Sequence, residues 1–421
     1  MSPEDPRRFL PADAAAPQPE PDGPNVRQTP AERYDAWDRA EDEAGDEDHR
    51  RPLPAVRPPG MHEGIFGFIE TKPGEVDFPT SIAWGVVYFF AAFVACVLFL
   101  LVAQVVPAIV ALVGVAVYMG ATGQDILANG GQRLSQQVLM PSMALAQVMT
   151  ILVSILGLLL MLGWRWPRRV GLRPPSFWHL VLTLLIVPAL ILLANGAYAI
   201  ARRFLPGISD LGLPGMEEMV RVFGTWPWAL AVLIIGLGPG IGEELWCRGF
   251  LGLGLFGRNG VVMRVLVASF FFGLIHGDPR QGSMAVVMGL FLHYVFLTTR
   301  SLFMPMLIHT LNNSTSVLAA RFEQLSVIDQ EPEQIPLVFY AAAGVLLVCV
   351  LVSLWRTHAR LKAEREFETM LWRPTYPGVE HPPPGCGVVV AYPRPGLVDL
   401  ALVALGVGTV SCSIAWVVVF G

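Results

Sequence analysis

The chain is 421 residues long, and 53% of its residues are hydrophobic while only 15% are charged. A typical soluble domain carries about 25% charged residues, so this composition excludes an ordinary soluble protein and indicates a polytopic membrane protein. The net charge of −5 is unevenly distributed, because residues 1–80 hold 18 of the 34 acidic residues and 9 of the 29 basic ones. The remainder has 16 acids and 20 bases. We find no basic surface pattern typical of nucleic-acid binding and expect no such partner.

The chain begins with a segment that has no apolar periodicity. Residues 1–60 are rich in Pro, Ala, Asp, Glu and Arg. Such a composition cannot bury enough apolar surface to offset the entropy lost on ordering, so we predict a disordered acidic tail. The first residues also lack the charged and apolar regions of a cleavable signal peptide. Residues 61–137 are predicted to contain a surface-lying segment and then the first membrane helix.

Apolar runs along the rest of the chain predict an all-α fold, a transmembrane bundle of eight or nine helices. About 20 apolar residues are needed for each crossing. The first run is long enough to contain a break near Pro107. We expect the main bundle at 138–356, a basic and then Pro-rich cytoplasmic linker at 357–396, and a last membrane helix at 397–421. The predicted spans are 82–118, 138–163, 176–201, 226–256, 261–277, 284–299, 302–320, 335–355 and 397–420.

The charges of the loops predict the orientation of the bundle. Loops rich in Lys and Arg stay in the cytoplasm. Every second loop is basic, and the loops between them are acidic or balanced. This alternation predicts a cytoplasmic N-terminal tail, and we expect the membrane to be a bacterial inner membrane. The basic residues that follow the second, fourth, sixth and eighth spans include Arg165, Arg168, Arg169, Arg173, Arg258, Arg300, Arg356 and Arg360.

The fourth span contains three ionisable residues within six positions, namely Glu243, Glu244 and Arg248. A charged side chain at membrane depth costs about 2.5–3.5 kcal/mol even on lenient insertion scales, so such residues are functional by default. Glu244 and Arg248 are four residues apart and can form an ion pair on one helical face. Glu243 points about 100° away from Glu244 on an α-helix and has no local partner. The alternative is a buried ionic cluster that only fixes helix packing.

Three other polar residues lie in the apolar runs that follow. His276 ends the fifth run, and His309 and Asn313 are four residues apart in the seventh. The rise of about 1.5 Å per residue allows the two glutamates, His309 and Asn313 to converge near the middle of the bilayer. By the same measure His276 lies nearer the far end of its run. We interpret His293 as an ordinary core histidine.

These residue types suit hydrolysis of an acyl bond, most simply a peptide bond, within the membrane. Glu243 is the candidate general base that activates a water, and His276 shares that water and passes a proton to the leaving amine. His309 and Asn313 are candidate donors to an oxyanion, and Arg248 holds Glu244. An alternative is zinc chemistry with Glu243, His276 and His309 as ligands, although no HExxH motif is present.

Three short motifs occur in this order on successive runs: Glu-Glu-x-x-x-Arg at 243–248, Phe-x-x-x-His at 272–276 and His-x-x-x-Asn at 309–313. In this order they resemble the CPBP family, the intramembrane glutamic proteases related to the CAAX prenyl endopeptidase and the abortive-infection-like proteins. The resemblance covers about residues 225–320.

The resemblance implies a helical membrane bundle around a cavity that opens to the cytoplasmic leaflet. Glu243 and His276 correspond to the pair that activates the water, and His309 and Asn313 to the oxyanion hole. Glu244 and Arg248 correspond to supporting residues, and no cofactor or metal is required. The expected partners are the lipid bilayer and a peptide or protein substrate that is membrane-anchored. Cys247 departs from the family, in which an aromatic residue often precedes the Arg.

Two other functional classes remain open at the level of sequence. A non-catalytic scaffold or immunity protein could keep the same bundle, although it would be free to lose Glu243, His276, His309 or Asn313. A transporter could use buried charges as an ion relay. An inverted repeat would favour transport, and the sequence contains none that we detect.

Overall fold

The computed structural model describes residues 78–125, 132–204, 222–256, 261–322, 335–365, 368–371 and 387–420. The predicted disordered tail and the predicted surface segment before Phe78 lie outside these residues. The α-helices are α1 (Phe78–Leu100), α2 (Val106–Ala121), α3 (Gln132–Leu162), α4 (Trp166–Arg169), α5 (Phe177–Phe204), α6 (Trp228–Ala231), α7 (Gly238–Glu244), α8 (Val261–Leu274), α9 (Pro279–Thr299), α10 (Phe303–Arg321), α11 (Leu337–Arg356) and α12 (Leu397–Phe420).

A helix lies at each of the nine predicted spans, which confirms the all-α membrane bundle. Within the described residues, seven helical segments are long and apolar enough to cross a membrane. The two spans that fall short are α8, which has 14 residues, and α10, which contains His309 and Asn313. The polar residues lower the mean hydropathy of α10, although its 19 residues are enough to cross a membrane.

Three π-helical segments interrupt the α-helices, at Leu101–Val105, Val232–Leu237 and Leu245–Leu255. The first directly precedes α2, which has Pro107 in its first turn, so the predicted irregularity near Pro107 is a π-helical turn within a continuous helix. The other two flank α7. Together with α6 and α7 they form one continuous helix, Trp228–Leu255, here called the glutamate helix.

Glycines let the glutamate helix approach its neighbours closely on two sides. A Cβ at Gly238 would lie 2.6 Å from Gln147 Cγ of α3, and a Cβ at Gly242 would lie 2.5 Å from Thr150 Cγ2. On the α10 side, a Cβ at Gly240 would lie 3.0 Å from the backbone nitrogen of Thr310. Small residues spaced by four positions allow such backbone contact between membrane helices. The glutamate helix is therefore held tightly between α3 and α10.

An aromatic stack anchors the next turn of the glutamate helix. The Trp246 ring stacks between Phe99 of α1, at a centroid distance of 4.3 Å, and Phe250, at 4.4 Å. Trp246 belongs to the largest apolar core of the described residues, which also includes Leu251 and Phe272. Burial of large aromatic rings stabilises such a core strongly. The stack fixes the rotation of the helix directly after the two glutamates.

The basic loops after the second, sixth and eighth spans meet at one end of the bundle. The Leu302 N–H donates to the Gly171 carbonyl at 2.9 Å, and the Ala359 N–H donates to the Thr298 carbonyl at 2.7 Å. The Ser301 hydroxyl also donates to the Arg173 carbonyl at 2.6 Å. These loops thus share one side, as the alternation of charge predicts. Their orientation towards the cytoplasm stays a prediction.

The segment after α11 contains a small antiparallel sheet that the sequence did not predict. Its strands are β1 (Arg360–Arg365), β2 (Glu368–Leu371) and β3 (Gly387–Ala391), in the order β2-β1-β3. The Pro-rich composition suggested a linker without secondary structure, but Val388, Val389 and Val390 lie in a β-prone run. The division of the chain into domains stays a prediction.

The last helix, α12, packs along α11. Arg356 Nε donates to Asp399 Oδ1 at 2.8 Å, which joins the end of α11 to the first turn of α12. Gly406 lies close to Leu346 and Cys349 of α11. These contacts place α12 against α11, and its description as an appendage to the main bundle stays a prediction.

We expect Gly240→Ala to destabilise the protein, because the added methyl group meets the backbone of Thr310 as well as its side-chain hydroxyl. Overpacking of this kind costs about 1–3 kcal/mol. Gly344→Ala on α11 is the control, since nothing lies within 4 Å of a Cβ there. Alanine at position 344 should leave stability unchanged or raise it by up to about 1 kcal/mol. Thermal unfolding in detergent measures both, and equal midpoints for the two variants would contradict the close helix contact.

Candidate active site

The two glutamates lie where the glutamate helix changes from α-helical to π-helical winding. Glu243 and Glu244 are the last residues of α7, and the π-helical segment begins at Leu245. Pro239 lies in the first turn of α7 and has no N–H for the carbonyl of Ile235, four residues earlier. Wider turns of this kind are rare and frequently occur at functional sites. The local winding therefore depends on Pro239 and on the glycines around it.

Glu244 and Arg248 form the buried ion pair that the sequence predicts. Arg248 Nη1 donates to Glu244 Oε1 at 2.7 Å, and both side chains are completely buried. Arg248 Nη2 donates to the carbonyl of Gly289 on α9 at 3.2 Å. The guanidinium also lies 4.5 Å from the centroid of the Phe272 ring, within the range of a cation–π contact. Arg248 thus joins the glutamate helix to α8 and α9.

His309 lies between the two glutamates. Its Nδ1 is 2.9 Å from Glu244 Oε1, and its Nε2 is 3.9 Å from Glu243 Oε2. The motifs predicted that these residues share one site, but their spacing did not predict the contact between His309 and Glu244. Glu244 therefore contacts Arg248 from its own helix and His309 from α10. The contact with Glu244 Oε1 holds the His309 ring through Nδ1, and Arg248 in turn holds Glu244.

Glu243 differs from Glu244 in exposure and in partners. Its side chain is 17% exposed, whereas that of Glu244 is completely buried. In the described part of the chain, Glu243 Oε2 is buried without a hydrogen-bond partner. The gap of 3.9 Å to His309 Nε2 is too long for a direct hydrogen bond. Glu244 Oε2 is likewise buried without a hydrogen-bond partner among these residues, so the two carboxylates differ in exposure and in their contacts with Arg248 and His309. The role of Glu243 as general base stays a prediction.

His276 lies in the turn that follows α8, because that helix ends at Leu274. Its Nδ1 is 2.8 Å from the Phe272 carbonyl. A carbonyl oxygen only accepts hydrogen bonds, so Nδ1 carries the proton and Nε2 is left as the basic nitrogen. No hydrogen bond or ion pair joins His276 to Glu243 or Glu244 among the described residues.

The Phe272 ring is shared by both histidines. It makes edge-on contacts with His276, at a centroid distance of 5.2 Å, and with His309, at 5.5 Å. Phe272 is itself buried, and Arg248 lies against the same ring. In the sequence, Phe272 stood out only as part of the Phe-x-x-x-His motif. Residue spacing could not predict that its ring contacts both histidines and Arg248. The ring sets how closely the two imidazoles approach each other.

Asn313 lies one turn beyond His309 on α10. Its Nδ2 donates to the carbonyl of Ile235 at 3.2 Å. This is the carbonyl that Pro239 leaves without its usual α-helical donor. Asn313 thus satisfies a backbone acceptor in the glutamate helix, a contact that the sequence analysis missed. An amide nitrogen has two hydrogens, so one N–H remains after this bond is made.

His293, interpreted from the sequence as a core residue, is indeed buried. Its Nδ1 is 3.1 Å from the Gly289 carbonyl, which also accepts from Arg248. Within the described residues, no three His, Cys, Asp or Glu side chains are arranged as ligands of a metal ion. The zinc set considered above, Glu243 with His276 and His309, is therefore not assembled as a metal site in this geometry.

Comparison with known proteins gives one match. Residues 225–315 match the family described as type II CAAX prenyl endopeptidase Rce1-like. This segment contains the glutamate helix, both histidines and Asn313. Neither a curated protein nor a solved structure matches the chain. The match covers 91 of the 421 residues and supports an assignment to the CAAX protease family, and the seven long apolar helices of the described residues support an integral membrane protein.

Proposed function

We propose that the protein hydrolyses a peptide bond within the membrane by means of a water that Glu243 activates. The observation that carries this proposal is the pairing around His309. One ring nitrogen contacts the ion-paired Glu244, and the other faces Glu243 Oε2, which has no hydrogen-bond partner among the described residues. Two adjacent carboxylates thus have different environments, and such a difference is typical of sites that divide acid–base roles.

Glu243 has the geometry that a general base requires. A water in contact with Glu243 Oε2 could also reach His309 Nε2, because the two atoms are 3.9 Å apart. Glu243 is also the less buried of the two carboxylates, with 17% of its side chain exposed. Proton transfer by a positioned carboxylate typically contributes a factor of about 10²–10⁴ to the rate. Glu244, completely buried and paired with Arg248, is suited to orient His309.

His276 is suited to pass the proton to the leaving amine. Because its Nδ1 donates to the Phe272 carbonyl, its Nε2 is free to accept and return a proton. Glu243 would take a proton from the water while the oxygen attacks the carbonyl carbon. The C–N bond then breaks, and the amine leaves with a proton delivered through His276. The products are one carboxyl terminus and one amine.

Two donors are available for the oxyanion. The second N–H of Asn313 Nδ2 is one of them, since its first is committed to Ile235. His309 can donate from Nε2 only if that nitrogen is protonated while Nδ1 donates to Glu244. Removal of one oxyanion donor typically lowers kcat by about 10²–10³-fold.

The family description supports a substrate class. Type II CAAX prenyl endopeptidases are named for prenylated proteins with a C-terminal CAAX sequence. We infer that the substrate is a membrane-associated or lipid-modified protein cleaved near its C-terminus. A farnesylated CAAX peptide is therefore the first probe, and the same peptide without the lipid tests whether the lipid is needed.

We expect Glu243→Gln to abolish cleavage of a bound peptide, because glutamine has nearly the same shape but cannot accept the proton of the water. The loss in kcat should be about 10²–10⁴-fold. Asp125→Asn, which makes the same chemical change at an exposed position, should retain activity. Peptide cleavage by purified protein in lipid vesicles measures both. Full activity of Glu243→Gln would contradict the proposal.

Removal of Arg248 should affect stability and activity together. Arg248→Met leaves Glu244 buried without its ion-pair partner, which typically costs about 3–5 kcal/mol. The double variant Arg248→Met/Glu244→Leu should recover most of that stability, since no buried charge is left.

The double variant should nevertheless stay inactive, because His309 then has no carboxylate at Nδ1. Thermal unfolding and peptide cleavage, measured on the same samples, separate the two effects. Full cleavage by the stable double variant would show that Glu244 does not orient His309 for catalysis.

Metal removal should leave cleavage unchanged, since the proposed base, proton carrier and oxyanion donors are all side chains. The protein is dialysed against a strong chelator, its metal content is measured by mass spectrometry, and cleavage is assayed again. Loss of activity that added Zn²⁺ restores would instead favour the zinc variant of the hydrolysis.

A further inference from the structure

Asn312 directly precedes Asn313 and was not among the predicted site residues. Its Nδ2 donates to Asn313 Oδ1 at 3.2 Å, and its side chain is half-buried. The two amides and the Ile235 carbonyl therefore form a short relay. It runs from Asn312 to Asn313 and from there to the glutamate helix.

The donor and acceptor groups of the relay determine which way each of its two hydrogen bonds points. The Ile235 carbonyl can only accept, so the Asn313 atom that contacts it must be the amide nitrogen. Asn313 Oδ1 then points to the other side and needs a donor, which Asn312 Nδ2 supplies. If the Asn313 amide were rotated by half a turn, its oxygen would face the Ile235 carbonyl. Two acceptors would then repel each other.

We propose that Asn312 is a positioning residue that locks the amide of Asn313 in the orientation needed for catalysis. In that orientation Nδ2 uses one N–H for Ile235 and keeps the other for the oxyanion. Without the donor from Asn312, only the Ile235 carbonyl still holds the amide, so rotated states become more populated, and these present an oxygen where a donor is required. This inference rests on the oxyanion role proposed for Asn313.

The competing explanation is that Asn312 only fills space on α10. Leucine distinguishes the two, because it has nearly the same shape as asparagine but no donor. A contact from the Ser316 hydroxyl reaches the backbone carbonyl of Asn312 at 3.2 Å, so it survives the substitution. Ser316→Ala is the matched control, since it removes an exposed polar group on the same helix and leaves the amide pair in place.

The test measures kcat and KM for cleavage of the farnesylated CAAX peptide by full-length protein in lipid vesicles. We expect Asn312→Leu to lower kcat by about tenfold with KM unchanged, because an oxyanion donor acts in the transition state. Asn313→Leu should lower kcat further, by about 10²–10³-fold. The double variant should be no slower than Asn313→Leu alone, because Asn312 acts only through Asn313. Ser316→Ala should match the unsubstituted protein.

The outcomes separate this inference from the proposed function. If Asn313→Leu lowers kcat while Asn312→Leu does not, Asn312 has no positioning role and the oxyanion assignment stands. Additive effects in the double variant would likewise overturn the inference. If Asn313→Leu leaves kcat unchanged, the oxyanion assignment itself is wrong.

A second variant covers the case in which Asn312→Leu does not fold. Asn312→Ser keeps a polar side chain, but its hydroxyl is too short to replace the amide donor. It should show the same fall in kcat. Normal kcat in a folded Asn312→Ser protein would overturn the inference.

Discussion

The site depends on the buried ion pair between Glu244 and Arg248. Further contacts offset part of the cost of burying such a pair, although Glu244 Oε2 and Arg248 Nε have no hydrogen-bond partner among the described residues. Here the Gly289 carbonyl accepts from Arg248, the Phe272 ring lies against the guanidinium, and His309 contacts the Glu244 carboxylate. Each of these partners comes from a different helix. The pair therefore holds together the glutamate helix, α8, α9 and α10, and it does not include Glu243, which we propose as the general base.

The second constraint is the close approach of the glutamate helix to α3 and α10. Side chains larger than glycine at Gly238, Gly240 or Gly242 would meet atoms of those helices. The same part of the sequence contains Pro239, which deprives the Ile235 carbonyl of its α-helical donor and allows Asn313 to bind it. Sequence features that weaken an ordinary helix thus bring the candidate site residues of α7 and α10 close to each other.

Much of this architecture could be predicted from the sequence. A helix lies at each of the nine spans that the apolar runs predicted, and the spacing of Glu244 and Arg248 predicted their ion pair. The contact of His309 with Glu244 could not be predicted, because it depends on the rotation of two helices that glycine contacts and π-helical turns determine. The sequence placed His276 near the far end of the fifth apolar run. In the structure α8 ends at Leu274, and His276 lies in the turn that follows. The strands near Val388 were obscured by the surrounding prolines.

The central claim is that a water, and not a side chain, attacks the peptide carbonyl. A single turnover in H₂¹⁸O, with enzyme in excess over the farnesylated CAAX peptide, tests it directly. The account predicts ¹⁸O in the new carboxyl terminus of the peptide after that first turnover, and none in the carboxylate of Glu243. The appearance of ¹⁸O in Glu243, with unlabelled product, would show a covalent intermediate and contradict the account.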